Sequence, residues 1–152
     1  MLSTAVPIIF NCTPSCCFAA RPQLTWIARW SEKGLRRMRE SDERPWGRYE
    51  VLEERAGFKV KVLEVKPGAR LSLQRHAQRG EHWVVVSGVA DVVRGDEELR
   101  LQRGEHIHIP PETNHRIGNS GIEPLAIIEV QLGDYLGEDD IVRLQDDYER
   151  IK

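Results

Sequence analysis

The chain has 152 residues, 40% of them hydrophobic and 30% charged, a balance that suits one soluble domain with a buried core. A formal net charge of −2 gives no electrostatic reason to expect nucleic acid or an anionic membrane as a partner. No apolar run reaches the ~18 residues that a membrane span needs.

The chain opens on a segment unlike the rest. Residues 1–37 hold five bases (Arg21, Arg29, Lys33, Arg36, Arg37), one acid (Glu32) and all three cysteines (Cys12, Cys16, Cys17). The scarcity of acids slightly resembles an organelle transit peptide, whereas "AVPIIF" is too short and too proline-broken for a secretory signal. The CxxxCC spacing has no second Cys/His pair to complete a metal site. The reading favoured is a disordered extension over residues 1–40, with Met38 as the working start, followed by a single domain over 41–152. That domain has no cysteine, which suits a reducing compartment, and the cytoplasm is the expected location.

From Tyr49 onward the pattern is brief β-rich runs punctuated by turn residues. "RYEVLE", "FKVKVLEV", "RLSLQRH", "HWVVVSG", "VADVVRG", "ELRLQRG", "HIHIP" and "PLAIIEVQ" follow one another, broken by "KPGA", "AQRG", "RGDE", "PPETN" and "GNSGIEP". Short strands at this spacing, with no helical period between them, predict an all-β antiparallel sandwich or closed barrel. Ile141, Leu144 and Tyr148 near the end are spaced as on a helix, so that segment is expected to be a short helix or an irregular cover.

One cluster carries chemistry. Residues two apart in a strand share a face, so Gln74 and His76 in "LQRH" point the same way. Glu81 opens the next run after "AQRG", and a hairpin there predicts all three side chains on one side. His115, in "PPETNHRIGN", is the best fourth member. Two nitrogens and two oxygens suit Zn²⁺ first, and also Mn²⁺, Fe²⁺, Co²⁺ or Ni²⁺. Spacing alone leaves both a metal site and a plain polar hairpin open.

The same residues fall on the paired motifs of the cupin superfamily. Gly68, Gln74, His76, Glu81 and Gly88 match G-x5-H-x-H-x3,4-E-x6-G, with Gln74 at a position usually His. Gly104, Pro110, Glu112, His115 and Asn119 match G-x5-P-x-G-x2-H-x3-N, with Glu112 in place of a Gly. Beyond the motifs, residues 44–150 resemble the phosphomannose isomerase domain found at the C-terminus of bifunctional mannose-1-phosphate guanylyltransferases. "RPWGRYEVL", "VKPGARLSLQ", "RGEHWVVVSGVA" and "IIEVQLGDYLGEDDIVR" carry that likeness.

The resemblance implies a double-stranded β-helix barrel with Gln74, His76, Glu81 and His115 as metal ligands. It also implies exchange of mannose 6-phosphate and fructose 6-phosphate through an enediolate, in the service of GDP-mannose and polysaccharide biosynthesis. A neutral amide ligand suits Lewis-acid work better than oxygen activation, which disfavours an iron oxygenase. Arg79 is the first choice for a catalytic, phosphate or hydroxyl contact, Arg116 the second for substrate, and Lys61 the candidate acid–base group. His82 is read as structural, and His106 and His108 as non-ligands despite their i, i+2 spacing. Trp46 and Trp83 are read as packing, and Glu129 and Gln131 as polar groups projecting into the barrel. The family's "QMHHHRAEHW" stands here as "QRHAQRGEHW". Ala77 and Gln78 thus replace two histidines outside the ligand set, which keeps a non-catalytic cupin that binds a sugar phosphate or nucleotide sugar as the alternative. A homodimer through an edge strand is expected by analogy.

Overall fold

The structure, a computed structural model, describes residues 40–150. The expectation for the extension before Glu40, cysteines included, lies outside the described residues. Eleven strands follow in order. They are β1 (Ser41–Arg44), β2 (Gly47–Arg55), β3 (Phe58–Val65), β4 (Leu73–His76), β5 (Arg79–Ser87) and β6 (Ala90–Arg94). After them come β7 (Glu97–Leu101), β8 (His106–Ile109), β9 (His115–Gly118), β10 (Leu125–Gly133) and β11 (Ile141–Gln145). A six-stranded sheet runs β1-β2-β3-β10-β5-β8 and a five-stranded sheet runs β11-β4-β9-β6-β7, with antiparallel pairing throughout. This is the expected double-stranded β-helix. Among the described residues no helix is long and apolar enough to cross a membrane.

Period-2 alternation decides what faces inward, and the inward residues change character along each strand. On β3, Lys59, Lys61, Leu63 and Val65 are all buried, two cations followed by two apolar residues. On β10 the inward set is Leu125, Ile127, Glu129 and Gln131, and on β5 it is Arg79, Glu81, Trp83 and Val85. The registers put apolar beside apolar and polar beside polar: Val65 opposite Leu125, Leu63 opposite Ile127, Lys61 opposite Glu129, and Gln131 opposite Glu81. One end of the interior is therefore an apolar core. Leu63, Val65, Trp83, Val85, Ile107, Ile109, Leu125 and Ile127 come from the larger sheet, and Ala90, Val92 and Ile117 from the smaller. The other end is polar, and the candidate residues sit there.

The motif positions have backbone reasons. Gly88 has φ +76, and a Cβ there would lie 2.9 Å from the Pro124 carbonyl oxygen. Glu112, where the motif has Gly, carries φ 60, a left-handed conformation that costs a residue with a Cβ.

Two expectations need correction. The segment after Gly137 has one short helical turn, the 3-10 element Glu138–Asp140, but Ile141–Gln145 is a strand paired with β4. Its i, i+3 spacing yielded to the pairing that an open sheet edge provides. The connection "AQRG" is likewise not a hairpin between paired strands. β4 and β5 belong to different sheets, and the chain crosses between them at Ala77 and Gln78.

Candidate metal centre

The crossing puts Glu81 on the larger sheet opposite residues of the smaller one. His76 ends β4, His115 begins β9, and each of the three side chains is about 1% exposed. One ligating atom from each lies within 4.8 Å of the others. His76 Nε2 is 3.1 Å from Glu81 Oε1, and His115 Nε2 is 3.6 Å from Glu81 Oε2. Gln74 stands directly opposite His115 in the β4–β9 register, and its Oε1 accepts a bond from Ser72 Oγ at 2.9 Å. Three of the four residues named from the sequence thus meet at the polar end of one interior, and Gln74 lines the same pocket from the neighbouring strand.

Neighbouring groups fix this arrangement. His115 Nδ1–H donates to the Thr113 carbonyl at 2.8 Å, which leaves the Nε2 lone pair facing the interior. Trp83 Nε1–H donates to Glu81 Oε2 at 3.0 Å and to Glu129 Oε2 at 3.1 Å. The Gln131 amide donates to Glu81 Oε1 at 3.1 Å and to Glu129 Oε1 at 2.9 Å. Burial opposes the charge on Glu81, but His76, His115 and Arg79 more than offset it and hold the carboxyl below the usual range. Glu129 behaves oppositely, because burial and the charge of Glu81 push it up to about 8. His115 is held down by burial, so its imidazole stays neutral and able to ligate.

Several buried atoms here have no hydrogen-bond partner: both ring nitrogens of His76, His115 Nε2, Arg79 Nε and Gln131 Oε1. His76 Nε2 is near Glu81 but not aligned with it as a hydrogen bond. Each such orphan costs about 1–3 kcal/mol. A cation shared by two imidazoles and a carboxylate would satisfy His115 Nε2 and one ring nitrogen of His76, so the residues fit a divalent metal.

The pocket over this cluster is lined by Gln74, Arg79, Glu81, Lys61, Glu129 and Glu138, among others. Arg79 is 2% exposed and donates Nη1–H to the Gly137 carbonyl at 2.7 Å. Lys61 Nζ donates to Glu138 Oε1 at 2.6 Å. Burial opposes the charge on Lys61, but Glu129 and Glu138 overcome it and raise its pKa.

Arg116 is placed elsewhere. Alternation turns it away from His115 to the outer face, where it donates to Gln145 Oε1 at 3.3 Å and lines a separate groove. Adjacency in sequence to a candidate ligand is, within a strand, the signature of the opposite face. His82 also faces outward, stacked on His108 at 4.4 Å, and both His106 and His108 are exposed. Sequence reading passed over Arg44, Ser72, Glu138, Arg143 and Arg150 as pocket residues. Arg143 and Arg150 sit in a segment whose spacing looked helical, so no inward face was assigned to it.

Residues 31–146 match the model of a protein family described as mannose-6-phosphate isomerase C-terminal. The chain belongs to that family. It is 55% identical over 107 residues to the xanthan biosynthesis protein XanB of Xanthomonas campestris pv. campestris. That match takes in 70% of this chain and 23% of XanB. It is 53% identical over 107 residues to the alginate biosynthesis protein AlgA of Pseudomonas aeruginosa, covering 70% of this chain and 22% of AlgA. This member of the mannose-6-phosphate isomerase C-terminal family thus spans less than a quarter of either relative. A conserved protein with a double-stranded β-helix domain from Klebsiella pneumoniae shares the fold, with TM-score 0.56 and 25% identity. The superposition covers 62% of this chain and 80% of that one.

Proposed function

We propose that this domain is a divalent-metal-dependent isomerase, active in the cytoplasm, that interconverts mannose 6-phosphate and fructose 6-phosphate. The observation that carries the reading is the convergence of His76, Glu81 and His115 at the polar end of the barrel, with histidine lone pairs buried and unpartnered. Gln74 completes the proposed ligand set. When bound, a divalent cation, Zn²⁺ first among the candidates, polarises substrate oxygens as a Lewis acid.

The remaining tasks fall to the chain's own groups. Trp83 and Gln131 orient the Glu81 carboxylate, and Thr113 orients His115. Lys61, kept charged by its acidic neighbours, offers a cation to the oxygen that gains charge in an enediolate and can donate a proton there, so its part is acid rather than base. Glu129, opposite Lys61 in register on the same pocket wall, is the carboxyl assigned to the C2 proton. A cation held by Glu81 would cancel part of the charge that pushes the Glu129 pKa up to about 8 and bring that carboxyl toward the ionised form a base needs. Arg79, buried beside Glu81 with an unpartnered Nε, fits a sugar oxygen.

A coupled assay on mannose 6-phosphate, with and without a chelator, tests this reading. Turnover that chelation abolishes and added metal restores is the expected result. The alternative, a cupin that holds a sugar phosphate or nucleotide sugar without turning it over, is favoured by one feature. At the crossing, Ala77 and Gln78 offer no imidazole, and their backbone amides are capped by Asp140 at 3.2 and 3.1 Å. Binding without turnover in the metal-loaded protein would establish that alternative.

A further inference from the structure

β11 carries a residue that the reading above leaves unused. Directly opposed residues of paired strands project from the same face. Arg143 stands opposite Gln74, and Gln74 stands opposite His115, so the three form a row across the inner face of the smaller sheet. With strands spaced ~4.8 Å apart, that row sets Arg143 about 10 Å along the sheet from His115. A phosphorylated sugar with its reacting end at the ligand cluster would run along this row toward Arg143.

The charges of the pocket point the same way. Five cations line it (Arg44, Lys61, Arg79, Arg143 and Arg150) against the three carboxylates Glu81, Glu129 and Glu138. Lys61 is engaged by Glu138, Arg79 by the Gly137 carbonyl and Glu81, and Arg150 by Asp146. Arg44 is ion-paired with the exposed Asp42 at 2.8 Å. Arg143 differs from all of these in making no ion pair and no hydrogen bond among the described residues. Its Nε, like that of Arg79, is buried with no hydrogen-bond partner, and burial and the charges of Arg150 and Arg44 outweigh Asp146 and Glu138 and lower its pKa. A guanidinium held among other cations, with N–H groups facing a pocket, is what a phosphate dianion accepts in bidentate fashion.

We propose that Arg143, supported by Arg44 across the same pocket, is the seat for the phosphate group of a sugar monophosphate, leaving Arg79 to the sugar end. This assignment rests on the sugar-phosphate reading of the site and names the residue that recognises the ester.

Calorimetric titration of the metal-loaded protein with inorganic phosphate and with mannose 6-phosphate tests it, using wild type, Arg143→Gln, Arg143→Lys and the outer-surface control Arg100→Gln. Arg143→Gln should bind both ligands at least about tenfold more weakly, the range set by loss of a charged hydrogen bond, with metal content unchanged. Arg143→Lys, which keeps the charge but not the bidentate geometry, should fall between, and it keeps the test readable if the Gln variant folds poorly. Arg100→Gln should match wild type. In turnover, the rise in KM should exceed the fall in kcat. Phosphate binding by Arg143→Gln as tight as wild type would overturn the seat, even where isomerase turnover persists. Loss of metal together with phosphate would overturn it too, since Arg143 would then be a scaffold residue. Arg143-dependent binding of mannose 6-phosphate without any turnover would uphold the seat and reject the isomerase.

Discussion

Trp83 shows how one residue serves two ends of the molecule. Its ring is 2% exposed in the apolar core, while its N–H reaches Glu81 and Glu129. Trp83→Phe keeps most of the packing and removes the donor. Metal affinity should therefore weaken about tenfold or more, as for other groups that orient a ligand. Metal titration against a competing chelator reads this, with thermal unfolding as the check that the core survives. Glu112 gives a second residue-scale expectation. Its φ of 60 burdens a side chain that makes no compensating contact of its own among those described. Glu112→Gly should raise stability by up to about 1 kcal/mol in chemical denaturation, part of the gain being lost to the freer unfolded chain. Had the backbone relaxed to another basin, the variant would be destabilised instead. The motif signalled this position, because the family's Gly is the residue that fits a left-handed turn.

At the scale of elements, the inward faces were legible and the pairings were not. Alternation in "IIEVQ" put Glu129 and Gln131 on one face, and that face is buried; Lys61, named from the family resemblance, is buried opposite Glu129. Nothing in a period of two says whether the next strand pairs alongside or crosses to the other sheet. Glu81 was accordingly expected beside Gln74 and His76 and lies across from them instead. Arg116 was misplaced for another reason: the family resemblance that named it outweighed the alternation that turns it outward. The 3-10 turn Glu138–Asp140 was invisible because its role is tertiary, fastened through Asp140 to the crossing and through Glu138 to Lys61. Burial raises the Glu138 pKa, but the charge and hydrogen bond of Lys61 outweigh it and hold it below 4.5. A depressed folded pKa means the stability it contributes is present above the unfolded value and lost as pH falls through the folded one. Glu138→Gln should therefore flatten the decline in stability on the acid side of pH 4.5 and leave the neutral plateau lower. Parallel acid limbs for variant and wild type in pH-dependent unfolding would contradict the pair.

Across the described residues, a barrel with one apolar end and one polar end separates what holds the fold from the groups assigned to the proposed chemistry. Substitution at the apolar end should be felt in stability first. Trp83→Ala, for instance, should cost about 3–5 kcal/mol, as large-to-small changes of buried aromatics do. Substitution at the polar end should be felt in metal and turnover. Glu129→Gln, nearly isosteric, should leave the barrel folded and lower kcat on mannose 6-phosphate by about 10²–10⁴ if it moves the C2 proton. Similarity to XanB and AlgA covers this domain alone, so turnover by the chain itself has to be measured on it. The most direct measurement combines metal content by elemental analysis with mannose 6-phosphate turnover, for wild type and His76→Ala. One bound divalent ion per wild-type chain, with both metal and turnover gone in the variant, is the predicted result. Full metal content and activity in a folded His76→Ala protein would contradict it.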